Sequence, residues 1–301
     1  SNKTNALMAA DYLSIVVDSY ESTWKYLKYT ISTPFPDKGV NMFYFLIVAS
    51  LFVWGLEYLM PWRKKQNIIR KDFWLDGFYM FFNFYLFSLL LAVALSNVSY
   101  AALVSLLEPL GYNKGSHLID LSSLHWGWQL LLFFFIADFV QWLIHNMLHR
   151  IPFLWKFHKV HHSVKEMGFA AHLRYHFLET FVYQSIKYIS LSMIFGFALE
   201  YAFIVYTITV LIGHLNHANI NWDYGPLKYI LNNPRMHIWH HSKELPSSHP
   251  KGMNFAISLS LWDYFFGTNY IPYDGRDIEL GFTNDENYPK GFVGQVVKPF
   301  R

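Results

Sequence analysis

The sequence predicts an all-α fold, a polytopic transmembrane helical bundle with a cytosolic histidine-rich helical cap, and three observations carry that prediction. Of 301 residues, 53% are hydrophobic and only 15% charged, where a soluble domain carries about 25% charge. The charges are spaced so that long apolar windows stay free of them, as membrane proteins arrange them. All fifteen histidines fall between His117 and His249, so the chemistry is expected there. A net charge of +3 is too small to point to nucleic acid. The absence of Cys excludes disulfides, thiolate nucleophiles, iron–sulfur clusters and Cys-type zinc sites.

No secretory signal opens the sequence, and Ser1-Asn2-Lys3 reads as a cloning remnant. Residues 5–30 are interrupted by Asp11, Asp18, Glu21, Lys25 and Lys28, while Tyr12, Trp24, Tyr26 and Tyr29 suit a headgroup region. An N-terminal interfacial segment over 1–40 is the expectation. Residues 41–56 form the first uncharged run, ending at Glu57. With Tyr58, Leu59 and Met60 it approaches the roughly 20 residues of a spanning helix. The run Gly77 to Leu107 has 31 residues, too long for one untilted helix across a core of about 30 Å.

Charge asymmetry chooses how that run crosses. The loop 61–71 holds five Lys/Arg and no acid, which places it in the cytoplasm. Arg150, Lys156, Lys159 and Lys165 make the segment 150–165 basic as well, and it should share that side. One tilted or kinked crossing over 77–107 satisfies this, followed by a return crossing over Leu121 to Ile144, which Asp138 interrupts. Residues 180–213, with Gly196 and Glu200 inside, read as two helices that leave and return to one face. This parity leaves the amino terminus outside unless the opening helix also enters the membrane. From Asn219 the chain is mixed and turn-rich, a cytosolic cap. The expected units are 1–40, a membrane-embedded catalytic domain over 41–270, and a cytosolic tail over 271–301. No internal repeat or Gly-rich phosphate loop is present.

Four histidine groups stand out: His145 and His149; His158, His161 and His162; His214 and His217; His237, His240 and His241. Spacings of three and four put side chains on one helix face, so each group can aim imidazoles at a common point. Ten imidazoles exceed what one ion takes, since zinc is held by four ligands and iron by about six at most. Two metals follow. Imidazole suits Zn, Cu, Fe and Ni, so ligand type leaves the metal open. This much His without an evident carboxylate bridge suggests a dinuclear centre with open positions for oxygen. Carboxylates should then hold the other ring nitrogens. Asp138, two turns before His145 on the same face and inside an apolar stretch, is the first candidate. The alternative is that Asp138 pairs with Arg150 or marks the membrane boundary. Glu179, Asp223 and Asp263 are further candidates.

His172 and His176 repeat the four-residue spacing and are expected in supporting or substrate-facing roles more than as ligands. His117 and His125 should lie across the membrane from the groups, and His249 in a loop. Trp142, Phe153, Trp155, Phe157, Phe169 and Trp239 fit packing or an interfacial belt, with some lining a slot for an acyl or ring-shaped substrate.

The stretch HNMLHRIPFLWKFHKVHHS over 145–163 resembles the fatty acid hydroxylase superfamily, the integral membrane group that includes sterol desaturases, sterol methyl oxidases and alkylglycerol monooxygenase. Residues 217–220, 225–242 and 259–268 agree in order and near spacing, as does the block with Glu57, Pro61, Arg63, Arg70 and Asp76. The resemblance covers about residues 50–270. It implies a histidine-ligated diiron centre at the cytosolic face, using O2 and two electrons to hydroxylate or desaturate a lipid C–H bond. His145 and His149 match its first box, His158, His161 and His162 the second, His237, His240 and His241 the third, and His217 the isolated His before the last box. His214 is less regular in the family. His176-Phe177-Leu178-Glu179 sits where many members have His-Pro-hydrophobic-Glu, with Phe177 replacing Pro. Asp138 and His176 are carried as catalytic candidates beside the ligands.

The substrate expected is a fatty acyl, ether-lipid or sterol-type lipid. Two Fe ions are the expected cofactor, with Zn able to replace them in purified protein. Electrons must come from a separate protein or a small reductant. Hydroxylation is favoured over desaturation because residues 225–241 look closest to the alkylglycerol monooxygenase and bacterial hydroxylase-like branch. A zinc-dependent membrane hydrolase is the alternative from another class, and anaerobic turnover would reveal it. A metal transporter would place His along a membrane path rather than at span ends. The ligand assignment predicts that His161→Ala or His240→Ala abolishes turnover and lowers bound metal by elemental analysis. His249→Ala should do neither.

Overall fold

The structure, a computed structural model, describes residues 2–36, 41–87, 93–112, 117–183, 187, 190–197 and 199–301. Among them are twelve α-helices and no strand; isolated bridges pair Pro61 with Ile220 and Ser242 with Leu280. Helix α1 spans Asn2–Ser32, α2 Met42–Leu59, α3 Phe73–Phe81 and α4 Val93–Leu107. A π-helical stretch, Phe82–Leu86, prolongs α3. The chain continues through α5 (Trp126–Arg150), α6 (Pro152–His162), α7 (Phe177–Val182), α8 (Ser190–Phe195) and α9 (Leu199–His217). Three short helices close it: α10 (Pro234–His240), α11 (Leu261–Phe265) and α12 (Phe292–Val297).

Among the described residues, three segments are long and apolar enough to cross a membrane: α2, residues 93–110, and α5. Asn41 starts α2 by accepting the Phe43 and Tyr44 N–H groups on its side-chain oxygen. His125 starts α5 in the same manner through its Nδ1, which accepts from Gly127. With 25 residues at about 1.5 Å each, α5 holds His125 and His149 at opposite ends. Its outward side shows Leu131, Phe135, Leu143 and Met147, and α2 shows Val48, Leu51 and Phe52. Such stripes are costly in water and at home in lipid. The single crossing expected over 77–107 falls partly on residues 88–92, outside the described residues; the run is helical on either side, and 93–110 suffices for a crossing alone. The helix pair expected over 180–213 likewise touches residues outside them; α8 and α9 are its described parts. Helix α1 packs along α4, where Asn97 Nδ2 donates to Ser19 Oγ at 2.8 Å.

Between the spans, α5, α8 and α9 join around Phe133, Ala137, Leu191, Phe197 and Val205. Leu46 of α2 and Val210 of α9 close on Leu173. A second apolar body, with Trp62, Val164, Met167, Ile238, Trp239, Met253 and Leu280, forms the cap. Residues 271–301, expected as a tail, pack back on the molecule. Phe292 sits against Phe78, Tyr79 and Phe82, and Tyr79 OH donates to Gln295 Oε1 at 3.0 Å.

A buried ionic network pins the segment between α6 and α7. Arg174 donates to Asp76 at 3.0 Å and Asp72 at 3.1 Å, while Arg70 donates to the other oxygen of Asp76 at 2.7 Å. Arg70, Asp76 and Arg174 are all buried. Arg174 also reaches Ser163 Oγ at 2.8 Å. Glu57 Oε1 accepts the backbone N–H groups of Phe169 at 2.9 Å and Asn219 at 2.8 Å, tying α2 to both sides of the cap. Removing one member leaves a buried charge unpaired, so Asp76→Ala should destabilise the chain by about 3–5 kcal/mol, read as a lowered unfolding midpoint in detergent.

Candidate metal centre

The histidines converge because four helices, α5, α6, α9 and α10, meet. The last two turns of α5 carry His145 and His149 one above the other. At Ile151-Pro152 the chain turns, and Pro152 opens α6 from its first turn, where a missing N–H costs nothing. The polar side of α6 bears His158, His161 and His162. Helix α9 brings His217 at its C-terminus, and Asn233, accepting from Met236 N–H, starts α10 with Pro234 next. His237 and His240 follow on α10, and His241 ends it.

Two sets of ring nitrogens result. His145, His149, His158, His162 and His240 form one, and His161, His217, His237 and His241 the other, each with its donor atoms within 4.8 Å of one another. The close pairs all involve Nε2. His162 lies 3.1 Å from His149 and from His240, and His145 lies 3.1 Å from His158. In the second set the separations are 3.3 Å for His161 and His217, 2.9 Å for His217 and His237, and 3.2 Å for His237 and His241. Two nitrogens each about 2.1 Å from one metal lie about 3.0–3.4 Å apart at right or tetrahedral angles. The sets are adjacent, the His162 and His241 rings stacking at 4.5 Å.

The other ring nitrogen decides the protonation. His145 Nδ1 donates to the Phe255 carbonyl at 2.7 Å, His161 to Arg174 at 3.0 Å, His217 to Gly213 at 2.7 Å and His240 to Met253 at 2.9 Å. His158 Nδ1 meets Glu179 Oε2 at 2.8 Å. A backbone carbonyl can only accept, so in these rings the proton sits on Nδ1 and Nε2 keeps a bare lone pair. Burial also holds His158, His162, His237, His240 and His241 well below the usual imidazole range, and His161 at about 3. They are neutral, the form that ligates metal. His161 and His217 therefore face lone pair to lone pair at 3.3 Å, a repulsive arrangement that a cation between them reverses. The donor set fits two metal ions.

The structure places nine of the ten predicted imidazoles in the two sets. His214 stands outside both. Three residues turn a helix by about 300°, so its ring diverges from that of His217, meeting Ser50 Oγ at 3.2 Å and His172 Nδ1 at 2.9 Å. Asp138 does not hold His145, and no ion pair with Arg150 forms. It accepts from Ser258 N, Leu259 N and Trp262 Nε1 at 3.2, 3.1 and 3.0 Å. Two turns lower on α5, it grips the loop whose Phe255 carbonyl meets His145. Asp263 grips the same loop from the other side, accepting from Phe255 N, Ala256 N and Trp142 Nε1, each at 2.9 Å. His176 also stands outside both sets. Its Nδ1 accepts from Leu178 N–H as the N-cap of α7, within a capping box closed by Glu179, and its Nε2 donates to the Val296 carbonyl at 3.0 Å. His117 and His249 also lie outside the sets, His249 beside Ser248.

A cavity of about 120 Å³ opens beside both sets, reached by His145 and His158 of one and His161 and His217 of the other. Ala137, Leu173, Val205, Val210 and Ile257 make its walls mostly apolar. His172 lines it too, seated where Gly213 lacks a side chain that would collide with the ring.

Compared with known proteins, residues 130–268 match the fatty acid hydroxylase family model. All nine converging histidines lie inside the matched stretch. The chain is 33% identical over 172 residues to ornithine lipid hydroxylase OlsE of Rhizobium tropici, covering 57% of this chain and 50% of that protein. It is 27% identical over 175 residues to alkylglycerol monooxygenase of Xenopus tropicalis (57% of this chain, 36% of that one). To alkylglycerol monooxygenase of Homo sapiens it is 29% identical over 162 residues (54% and 34%). The chain thus spans half or less of the length of these relatives. No solved structure matches.

The supporting contacts of the histidine sets escaped sequence reasoning where they are main-chain carbonyls, which no residue type announces. Glu179, named among the candidates, is the carboxylate that does meet a ligand-type histidine. Glu179→Ala should lower metal affinity by about 10- to 100-fold, measured by chelator competition on the purified chain.

Proposed function

We propose that this chain is a membrane-bound lipid hydroxylase that inserts one atom of O2 into a lipid C–H bond at a non-haem dinuclear metal site. The observation that carries the reading is the facing pair of bare nitrogens, His161 and His217, in a site that opens onto an apolar cavity between the spans. The hydroxylase and monooxygenase named among the relatives supply the reaction class. His145, His149, His158, His162 and His240 would hold one ion, and His161, His217, His237 and His241 the other. Iron is the metal suited to the chemistry, and zinc can take its place in purified protein. Bound iron supplies O2 binding and activation.

The chain's own residues perform the rest. Carbonyls of Phe255, Met253, Arg174 and Gly213 keep the Nε2 atoms of His145, His240, His161 and His217 aimed inward, so these four rings need not reorient when the substrate arrives. The apolar wall of Leu173, Val205, Val210 and Ile257 admits a hydrocarbon segment and excludes water that would quench the oxidant. Asp138 and Asp263 fix the 255–259 loop. The basic segments 61–71 and 150–165 support a cytosolic position for the histidine sets. Two electrons from a separate donor complete the balance: lipid C–H, O2, two electrons and two protons yield alcohol and water.

Elemental analysis of protein purified from iron-supplemented cells should find about two metals per chain. Incubation with cell lipids and ¹⁸O2 plus reductant should give a lipid carrying one labelled oxygen. One metal or none, or turnover without O2, would overturn the proposal.

A further inference from the structure

Hydroxylation as proposed above consumes two electrons for each lipid, and a route for their entry depends on that function. The first histidine set has a second face. His149, His162 and His240 lie at the floor of an opening of about 380 Å³, none of whose lining residues borders the apolar cavity. Arg150, Lys159, Lys243 and Lys251 surround it. A neighbouring opening shares Lys159, Phe282 and Thr283 and adds Lys156, Lys298 and Arg301. Among the described residues, no Asp or Glu lines either opening.

Lys243 is engaged by Glu279 and Glu286 at 2.8 and 2.9 Å. The other six cations form no ion pair among the described residues. His149 is only partly buried, whereas the other four of its set are buried.

We propose that this basic face docks a small acidic one-electron carrier protein, whose electrons enter through the ring edges of His149, His162 and His240. The patch runs from the end of α5 to the C-terminus, across two openings, which exceeds the footprint of a small anion. Anionic lipid headgroups would also meet the cations, but they leave the opening down to the imidazole rings without a use. Charge complementarity of this kind steers encounter and sets register. Two carrier molecules docking in turn deliver the two electrons, each returning oxidised by one.

The test uses the full chain in phosphatidylcholine nanodiscs, with a plant-type [2Fe–2S] ferredoxin as the acidic probe and binding read by interferometry. Lys159→Glu with Lys251→Glu should weaken binding by about tenfold or more, as should added salt, with bound metal unchanged. Lys228→Glu, outside the patch, should have no effect. Equal binding by the double variant, or equal weakening by Lys228→Glu, overturns the proposal. So does a double variant that keeps ferredoxin binding but no longer floats with phosphatidylserine vesicles, which would make the patch a membrane face. Because binding is read without turnover, failure of hydroxylation alone would count against the oxygenase function and leave the docking result standing.

Discussion

Two lone pairs facing each other at 3.3 Å, on His161 and His217, impose the constraint that organises the rest of the molecule. Neutral imidazoles do not approach in that manner unless something positive is destined to lie between them, and they hold still only if each Nδ1–H is already committed. The commitments are mostly to main chain. The elements around the site can be ranked by which carbonyl they immobilise. The Asp76–Arg174 pair fixes the segment that presents the Arg174 carbonyl to His161, and Asp138 with Asp263 fixes the loop that presents Phe255 to His145. The last turn of α9 fixes Gly213 for His217.

This division of labour explains why a chain so poor in charge buries so many charged groups. Isolated ionised groups in an apolar interior are expensive. Here Glu57, Asp76, Asp138, Arg174 and Asp263 each carry several hydrogen bonds. The membrane half, packed by Leu46, Phe133, Val205 and Val210, needs shape alone. The cap half needs position, and hydrogen bonds to fixed carboxylates define position more sharply than apolar contact does.

How much of this was legible follows from the same physics. Spans α2 and α5 were readable because hydrocarbon selects composition over about 20 residues, and nine imidazoles were readable because helical periodicity puts three- and four-residue spacings on one face. His214 misled because its distance from His217 admits two neighbouring directions, and only the packing of α9 on α2 chooses between them. Asp138 misled for a related reason: periodicity says which face a carboxylate shares, while the loop at 255–262 that occupies that face comes from more than a hundred residues away. The carbonyls of Gly213, Met253 and Phe255 left no trace, since every residue has one.

The left-handed turn at Asn254 carries a last consequence. With φ at 52°, this residue sits between the two carbonyls that hold His240 and His145, and its side chain donates to the Met236 and Tyr270 carbonyls. Within this loop, the identities of Met253 and Phe255 matter to the rings less than the count of atoms along the backbone. Such a site tolerates exchange of side chains more readily than a change in chain length. A one-residue insertion or deletion between 252 and 256 would shift both carbonyls at once and release rings of the first set together, while leaving each histidine in place in the sequence.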